Sequence, residues 1–487
     1  MTGWTQGARR NSSVITVASR STAAQRAAHS ILERASARGT RSAVRVDTAP
    51  PNLGGRGVPA AQEVDVSHND RRRRLCRKAC VGIAVTGLLT LPVPGVAADT
   101  PQPTATARPS PSDGFPVLDD AMDVKLDRAI RDVLKETGVP GAIVGISAPG
   151  KGEYTRAFGV ADTATKQPMR PQFYSRIGSE TKTFTVTAVL QLAQQGKVHL
   201  DDPIGKYVEG VPGGDTVTLR ELAGMRSGLL SYTVTEPFFK ALTSNPERQF
   251  TPQQLLDYAF DAPKPVIFPP NKQFNYSNTN LILLGLVVEK ASGQRLSAFI
   301  RDHILRPARM DRTSFPDDAS FPTPHAQGYT RQTESGKIEN ATDWNPSWGW
   351  AAGAMISDLR DLRMWAKTVA TGTFPDGTQM ISPRMQQQRL ASPPDTMPGA
   401  GYYGLGIFNV QGWIGHNGSL PGYQSLTLYL PEQRATLVVL LNSDIPYGPR
   451  QEAPSTAFGN AITKVITPDH VYNLPAAAQA ATPPPTP

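Results

Sequence analysis

One stretch constrains this chain more than any other: Arg176-Ile177-Gly178-Ser179-Glu180-Thr181-Lys182-Thr183-Phe184. The run that follows, residues 185–195, has apolar residues at Val186, Val189, Leu190 and Ala193, with Gly196 directly behind it. That spacing predicts an amphipathic helix with a glycine stop. Side chains three apart share a helix face, so Ser179 and Lys182 stand side by side at its start. A serine hydroxyl is a weak nucleophile without a neighbouring base. Lysine serves as that base only when its pKa falls from about 10.4 towards neutrality. Burial and the positive end of the helix dipole both push it that way. The same helix start can aim backbone N–H groups at a developing oxyanion. Taken alone, the pair reads equally well as a cap serine beside a solvated lysine, and two later segments tip the balance.

Charge and cysteine narrow the field first. Residues 1–98 hold 15 Lys+Arg against 5 Asp+Glu, more than the whole net charge of +9. The remainder is therefore near neutral, which gives no support to a nucleic-acid surface. Both cysteines, Cys76 and Cys80, lie in that first part. Downstream of them no disulfide, thiol nucleophile or thiolate metal site can form. The seven histidines are scattered without an i, i+4 pair, a pattern that predicts no zinc site and calls for no cofactor.

Composition divides the chain into five parts. Residues 1–70, rich in Arg, Ala, Ser and Thr, read either as a disordered leader or as sequence upstream of the true start. Residues 71–98 resemble a signal peptide. They carry a basic run from Arg71 to Lys78, an apolar core from Val81 to Leu91, and small residues at Gly95 to Ala98. The apolar core is too short for a stable membrane span. The Arg72-Arg73-Arg74-Leu75 run also suits a twin-arginine exporter, so the expected destination is the cell envelope or beyond. An uncleaved anchor is the alternative. Cys80 precedes the apolar core, which speaks against a lipoprotein. Residues 99–115 are a Pro/Ser/Thr linker, 116–470 the globular body, and 471–487 a disordered Ala/Pro/Thr tail.

Within the body, helices are predicted over 118–137, 219–225, 252–260, 281–291, 296–305, 358–371 and 455–466. Strands are predicted over 142–147, 154–160, 403–410, 424–430 and 435–442. The plan is strands, a long helical insertion, then strands and a closing helix. It predicts an α/β (α+β) architecture in which strands from both chain ends share one antiparallel sheet with helices packed beside it.

The two further segments are Asn275-Tyr276-Ser277-Asn278 and Gly415-His416-Asn417-Gly418-Ser419. A tyrosine phenol can relay a proton if a cation holds down its pKa, ordinarily about 10. The Asn278 amide can both donate and accept, or can simply cap the helix behind it. A cationic or dipolar side chain such as His416 on a strand edge beside a glycine lets a substrate backbone approach closely, although Asn-Gly is also the strongest hairpin-turn signal.

The order S-x-x-K, Y-x-N, H-x-G resembles the penicillin-recognising serine hydrolases: D-alanyl-D-alanine carboxypeptidases, class C β-lactamases and related esterases. The likeness extends to Leu200-Asp201-Asp202-Pro203, Arg226-Ser227-Gly228-Leu229, Ala352-Gly353 and Tyr403-Gly404-Leu405-Gly406, and covers roughly residues 117–470. It implies the β-lactamase/transpeptidase-like fold with an all-helical inserted region. It implies Ser179 as acylated nucleophile, Lys182 as base and Tyr276 as proton shuttle. It implies Asn278 as amide binder and the Ser179 and Ser419 N–H groups as oxyanion hole. His416, Asn417 and Gly418 would line the substrate edge, and Trp348 either lines the pocket, as in the carboxypeptidase type, or only packs in the core. His416 stands where that type also carries histidine.

Two departures bear on the substrate. Where the carboxypeptidase type has an arginine for the terminal carboxylate, this chain has Phe408, and the middle residue of H-x-G, usually threonine, is Asn417. A phenyl ring makes no bidentate carboxylate contact. The best single expectation is a D-alanyl-D-alanine carboxypeptidase-like hydrolase acting on peptidoglycan stem peptides. An esterase or amidase, a β-lactamase, and a penicillin- or peptidoglycan-binding receptor that acylates without turnover are the alternatives. A histidine at 416 also predicts a rate that responds to pH between about 5 and 8. The sequence leaves the oligomeric state open.

Overall fold

The computed structural model describes residues 114–393 and 401–475. The leader, the signal-like segment, nearly all of the linker and residues 476–487 of the tail lie outside the described residues.

The first helix, α1 (Asp120–Thr137), begins where the Asp119 carboxylate accepts from the Met122 N–H at 2.9 Å. It ends at Gly138 in the left-handed conformation. The chain then forms a hairpin of β1 (Gly141–Ala148) and β2 (Gly152–Gly159). A long excursion carries α2 (Thr181–Gln194), α3 (Glu236–Ser244), α4 (Pro252–Phe260), α5 (Asn278–Ser292), α6 (Leu359–Thr371) and α7 (Pro383–Leu390), with shorter turns between them. The chain returns as β3 (Gly401–Tyr403), β4 (Phe408–Val410), β5 (Trp413–Leu420), β6 (Tyr423–Leu430) and β7 (Ala435–Leu441), and closes with α8 (Pro454–Ile466).

These strands make one seven-stranded antiparallel sheet in the order β2-β1-β7-β6-β5-β4-β3. The join between the chain ends is the β1–β7 pairing, with Val144 opposite Val439. Every residue of β6 and β7 is buried, as expected of central strands covered on both faces. Leu426 of β6 packs on Gly459 of α8, while its neighbour Ser425 donates to the Ile177 carbonyl on the other face. The strand alternation thus aims one set of side chains at α8 and the next at the nucleophile segment. This is the antiparallel sheet flanked by helices that the sequence predicts.

Three expectations change. The helix after Ser179 is not amphipathic: Thr181 to Leu192 is buried throughout. Three of its threonines face inward with each hydroxyl on a carbonyl, Thr183 on Glu180, Thr185 on Ala351 and Thr187 on Thr183. The Asn417-Gly418 pair does not turn; it lies inside β5, and the hairpin turns at Pro421-Gly422 instead. The strand expected over 403–410 is broken, because the Gly404 N–H bonds to the Ile407 carbonyl at 2.8 Å and splits it into β3 and β4.

Candidate active site

Ser179 sits in a single 3-10 turn, Gly178–Glu180, that feeds directly into α2. The turn is pinned from several sides. The Ile177 N–H donates to the Met355 carbonyl, the Met355 N–H donates to Thr181 Oγ1, and Ser425 Oγ donates to the Ile177 carbonyl. Gly178 has φ +51°, and a Cβ there would lie 2.7 Å from the Ser419 nitrogen. Only glycine allows β5 to approach this closely. Gly418 serves the same approach from the other side, since a Cβ on it would lie 1.9 Å from the Ile177 carbonyl oxygen. Together they set the Ser419 N–H against the nucleophile turn, where an oxyanion would need it.

Lys182 Nζ lies 2.8 Å from Ser179 Oγ and 2.8 Å from the Ala352 carbonyl oxygen. The side chain is fully buried, and burial pushes its pKa well below that of a free lysine. No carboxylate pairs with it among the described residues. A neutral amine can donate to Ala352 and turn its lone pair on the Ser179 proton. The helix start beneath it is rigid: Arg389 donates to the Thr183 carbonyl and to Thr187 Oγ1, each at 2.9 Å. Trp365 bonds Thr183 Oγ1 and stacks on Phe184 at 4.0 Å between ring centroids.

Tyr276 precedes α5, and its phenol reaches the Ser179 side chain, with Lys182 Nζ 4.9 Å from its ring centroid. Burial raises its pKa rather than lowering it, so the expectation of a phenol held down by a cation is corrected. It is a neutral O–H donor. Asn278 is the first residue of α5, while Ser277 takes the cap position. Its backbone N–H donates to Ser231 Oγ at 3.0 Å and its side-chain Nδ2 to Thr233 Oγ1 at 3.1 Å. With the amide nitrogen so engaged, the carbonyl end is left to accept a substrate N–H.

His416 forms the facing wall on β5 and is buried. Its Nδ1 lies 2.5 Å from the Asn417 carbonyl oxygen and its Nε2 3.3 Å from the Tyr403 hydroxyl. Burial, reinforced by Lys182, lowers its pKa from 6.5 to about 3. The imidazole stays neutral across the physiological range, which corrects the expectation that it titrates between pH 5 and 8. Phe408 is not an open subsite residue: it is 1% exposed, with its ring 4.6 Å from that of His416 and 4.7 Å from that of Tyr403. The strand alternation of β4 turns it inward beneath His416. Trp348 is half-buried against Phe238, and its carbonyl accepts from the Tyr232 hydroxyl at 2.6 Å. The structure thus brings Ser179, Lys182, Tyr276, His416, Gly418 and Ser419 together. It joins Asn278 to the Ser231–Thr233 turn, and sets Trp348 at a tilt against Phe238 of α3. Sequence reasoning missed Tyr403, Ser231, Thr233 and Glu180, none of which carries a local signal of its role.

This geometry has the form of a serine–lysine acyl-transfer site at the junction of a sheet and a helical insertion. Residues 126–458 match the family model described as Beta-lactamase, and the chain belongs to that family. Among curated proteins it resembles Protein flp of Staphylococcus aureus (strain MW2), 28% identical over 339 residues. That match takes in 67% of this chain but only 64% of the relative's length. Among solved structures it resembles a D-stereospecific amidohydrolase from Streptomyces sp., at 26% identity and TM-score 0.61 over 72% of this chain and 98% of that one. It also resembles a D-amino acid amidase from Ochrobactrum anthropi SV3, at 25% identity and TM-score 0.62 over 71% and 97%.

Proposed function

We propose that this protein is an exported serine hydrolase that works through an acyl-enzyme on Ser179 and favours amide or ester substrates whose leaving side carries no free carboxylate. One observation carries the reading: a buried lysine, paired with no carboxylate among the described residues, lies 2.8 Å from a serine oxygen at a helix start. Lys182 takes the Ser179 proton as Oγ attacks the acyl carbonyl. The oxyanion forms against the Ser179 and Ser419 N–H groups. Tyr276 hands its phenolic proton to the departing nitrogen or oxygen and recovers one from Lys182, which leaves the ester on Ser179 and both bases as they began. Water then repeats the sequence and releases the acid.

The substrate preference rests on the β5 wall. A terminal carboxylate needs a cation, but the position two residues after Tyr403-Gly404-Leu405-Gly406 holds the buried Phe408, and His416 is neutral. The likeness to two proteins named for D-configured amides points the same way. Export is supported by the basic, apolar and small-residue order of residues 71–98. The test compares kcat/KM for D-phenylalanine amide, its L enantiomer, and a D-alanyl-D-alanine peptide with a free or an amidated C-terminus. The reading expects the amidated peptide to exceed the free acid by about tenfold or more, the worth of one lost charge-assisted contact. A free acid turned over as well as or better than its amide returns the assignment to the carboxypeptidase type.

A further inference from the structure

The mechanism above leaves one acid beside the nucleophile unused. Glu180, the residue between Ser179 and the start of α2, is 1% exposed. It makes no ion pair among the described residues, and neither carboxyl oxygen has a well-formed hydrogen bond. Its neighbours are two hydroxyls of β6, Ser425 and Thr427.

Burial decides its protonation state, overcoming the two hydroxyls, which pull the other way, and the hydrogen-bond geometry accommodates the acid form. Ser425 has already given its proton to the Ile177 carbonyl at 3.0 Å, so towards Glu180 it offers only lone pairs. An ionised carboxylate would set acceptor against acceptor in a site without water access, a costly arrangement. A carboxylic acid instead has one O–H to donate. It can donate to Ser425 and accept from Thr427, whose hydroxyl has no other partner among the described residues. The other ionisable group whose charge Glu180 feels or is felt by is Tyr472, on the C-terminal segment, and burial keeps that phenol neutral. Neither Lys182 nor His416 shifts the carboxyl. Burial raises the Glu180 pKa from 4.5 to about 8.

We propose that Glu180 is a positioning residue that works as a neutral carboxylic acid, its proton tying the nucleophile turn to β6, and that loss of this proton releases the turn and stops acyl transfer. Through the Ile177 carbonyl and Glu180, Ser425 holds the turn on both sides of Ser179. Ionisation breaks one of those holds and repels the other. The alkaline limb of the rate profile then belongs to Glu180, and the acid limb to Lys182, which must be neutral to act. This inference rests on the acyl-transfer reading for its kinetic consequence but not for the protonation state itself.

Two measurements test it. The first is infrared spectroscopy of the wild-type chain, which follows the carbonyl stretch of protonated carboxylic acid with pH. The account predicts a buried band that disappears around pH 8, separate from Asp361 and Asp444, whose pKa values rise only to about 6. Absence of any band titrating above neutrality overturns the proposal whether or not the enzyme is active. The second is the pH profile of kcat for wild type, Glu180→Leu and Glu180→Gln. Glu180→Leu should lower kcat by about tenfold or more. Glu180→Gln, which keeps an N–H donor without a titrating proton, should restore it to within about threefold and remove the alkaline limb. An alkaline limb that persists in Glu180→Gln, or a glutamine variant no better than leucine, overturns the proposal. A Glu180→Gln chain that fails to fold leaves the infrared result to decide.

Discussion

Two basic side chains face each other across this site, and burial acts on both in the same direction with opposite results. In Lys182 it favours the neutral amine that the proposed acyl transfer uses as a base. His416 loses its proton and falls silent. The difference lies in where their lone pairs point. Lys182 Nζ lies 2.8 Å from both the Ala352 carbonyl oxygen and Ser179 Oγ, so that as a neutral amine it can donate to the carbonyl and turn its lone pair on the serine proton. The two nitrogens of His416 are taken by the Asn417 carbonyl and the Tyr403 hydroxyl, and its ring is enclosed by Tyr276, Tyr403 and Phe408. Desolvation alone therefore does not make a catalytic base; the second contact, which aims the freed lone pair, does.

The comparison breaks most readily at the lysine. Lys182→Ala should lower the rate of acylation by about 10²–10⁴-fold, the usual worth of a positioned general base, as read by single-turnover kinetics. The acid limb of the wild-type profile should vanish with it, because falling pH protonates Lys182 and removes the base. A variant that still acylates at the wild-type rate would show that the 2.8 Å contact is not catalytic.

Gly178→Ala tests the geometry that joins the two walls. The added Cβ meets the Ser419 nitrogen, and φ +51° suits glycine alone. Unfolding should show a loss of about 1–3 kcal/mol, with kcat falling more than KM changes because the oxyanion donors separate.

His416→Gln sharpens the other half. The rate profile of wild type and variant should run parallel between pH 5 and 8, since the histidine titrates at about 3. Stability should separate them instead. The unfolded chain takes up a proton near pH 6.5 and the folded one only near 3. Wild-type stability is therefore lost as pH falls through that window, while the glutamine variant lacks this loss. An inflection near pH 6.5 in wild-type activity that disappears in the variant would contradict the silent-histidine account.

The smallest effect concerns Asn278. Thr233→Val removes the acceptor for Nδ2 and loosens the amide that greets the substrate. KM should rise about fivefold, the worth of roughly one hydrogen bond, with kcat little changed.

The parts of this site that were legible in sequence are local. Ser179 and Lys182 are one helical turn apart, so spacing alone sets their contact, and the apolar runs of β6, β7 and α5 announce themselves. What was not legible depends on partners far along the chain. The Asn417-Gly418 pair mimics a turn, and only its pairing with β6 and its approach to Ile177 make it a strand. The resemblance predicts Phe408 at a substrate subsite, yet it points inward, a direction that follows from the break at Gly404 and the start of β4 at Phe408. Glu180 reads as an ordinary acidic residue in a first helical turn. Its burial appears only when Ser425 and Thr427, more than two hundred residues later, close over it.

The most direct measurement is intact-mass analysis of the wild-type chain and its Ser179→Ala variant after a brief exposure to an activated ester of D-phenylalanine and rapid acid quench. The account predicts a mass increase of one acyl group in wild type, mapped by peptide digestion to Ser179, and none in the variant. An adduct on the variant, or hydrolysis that continues unchanged without Ser179, would contradict it.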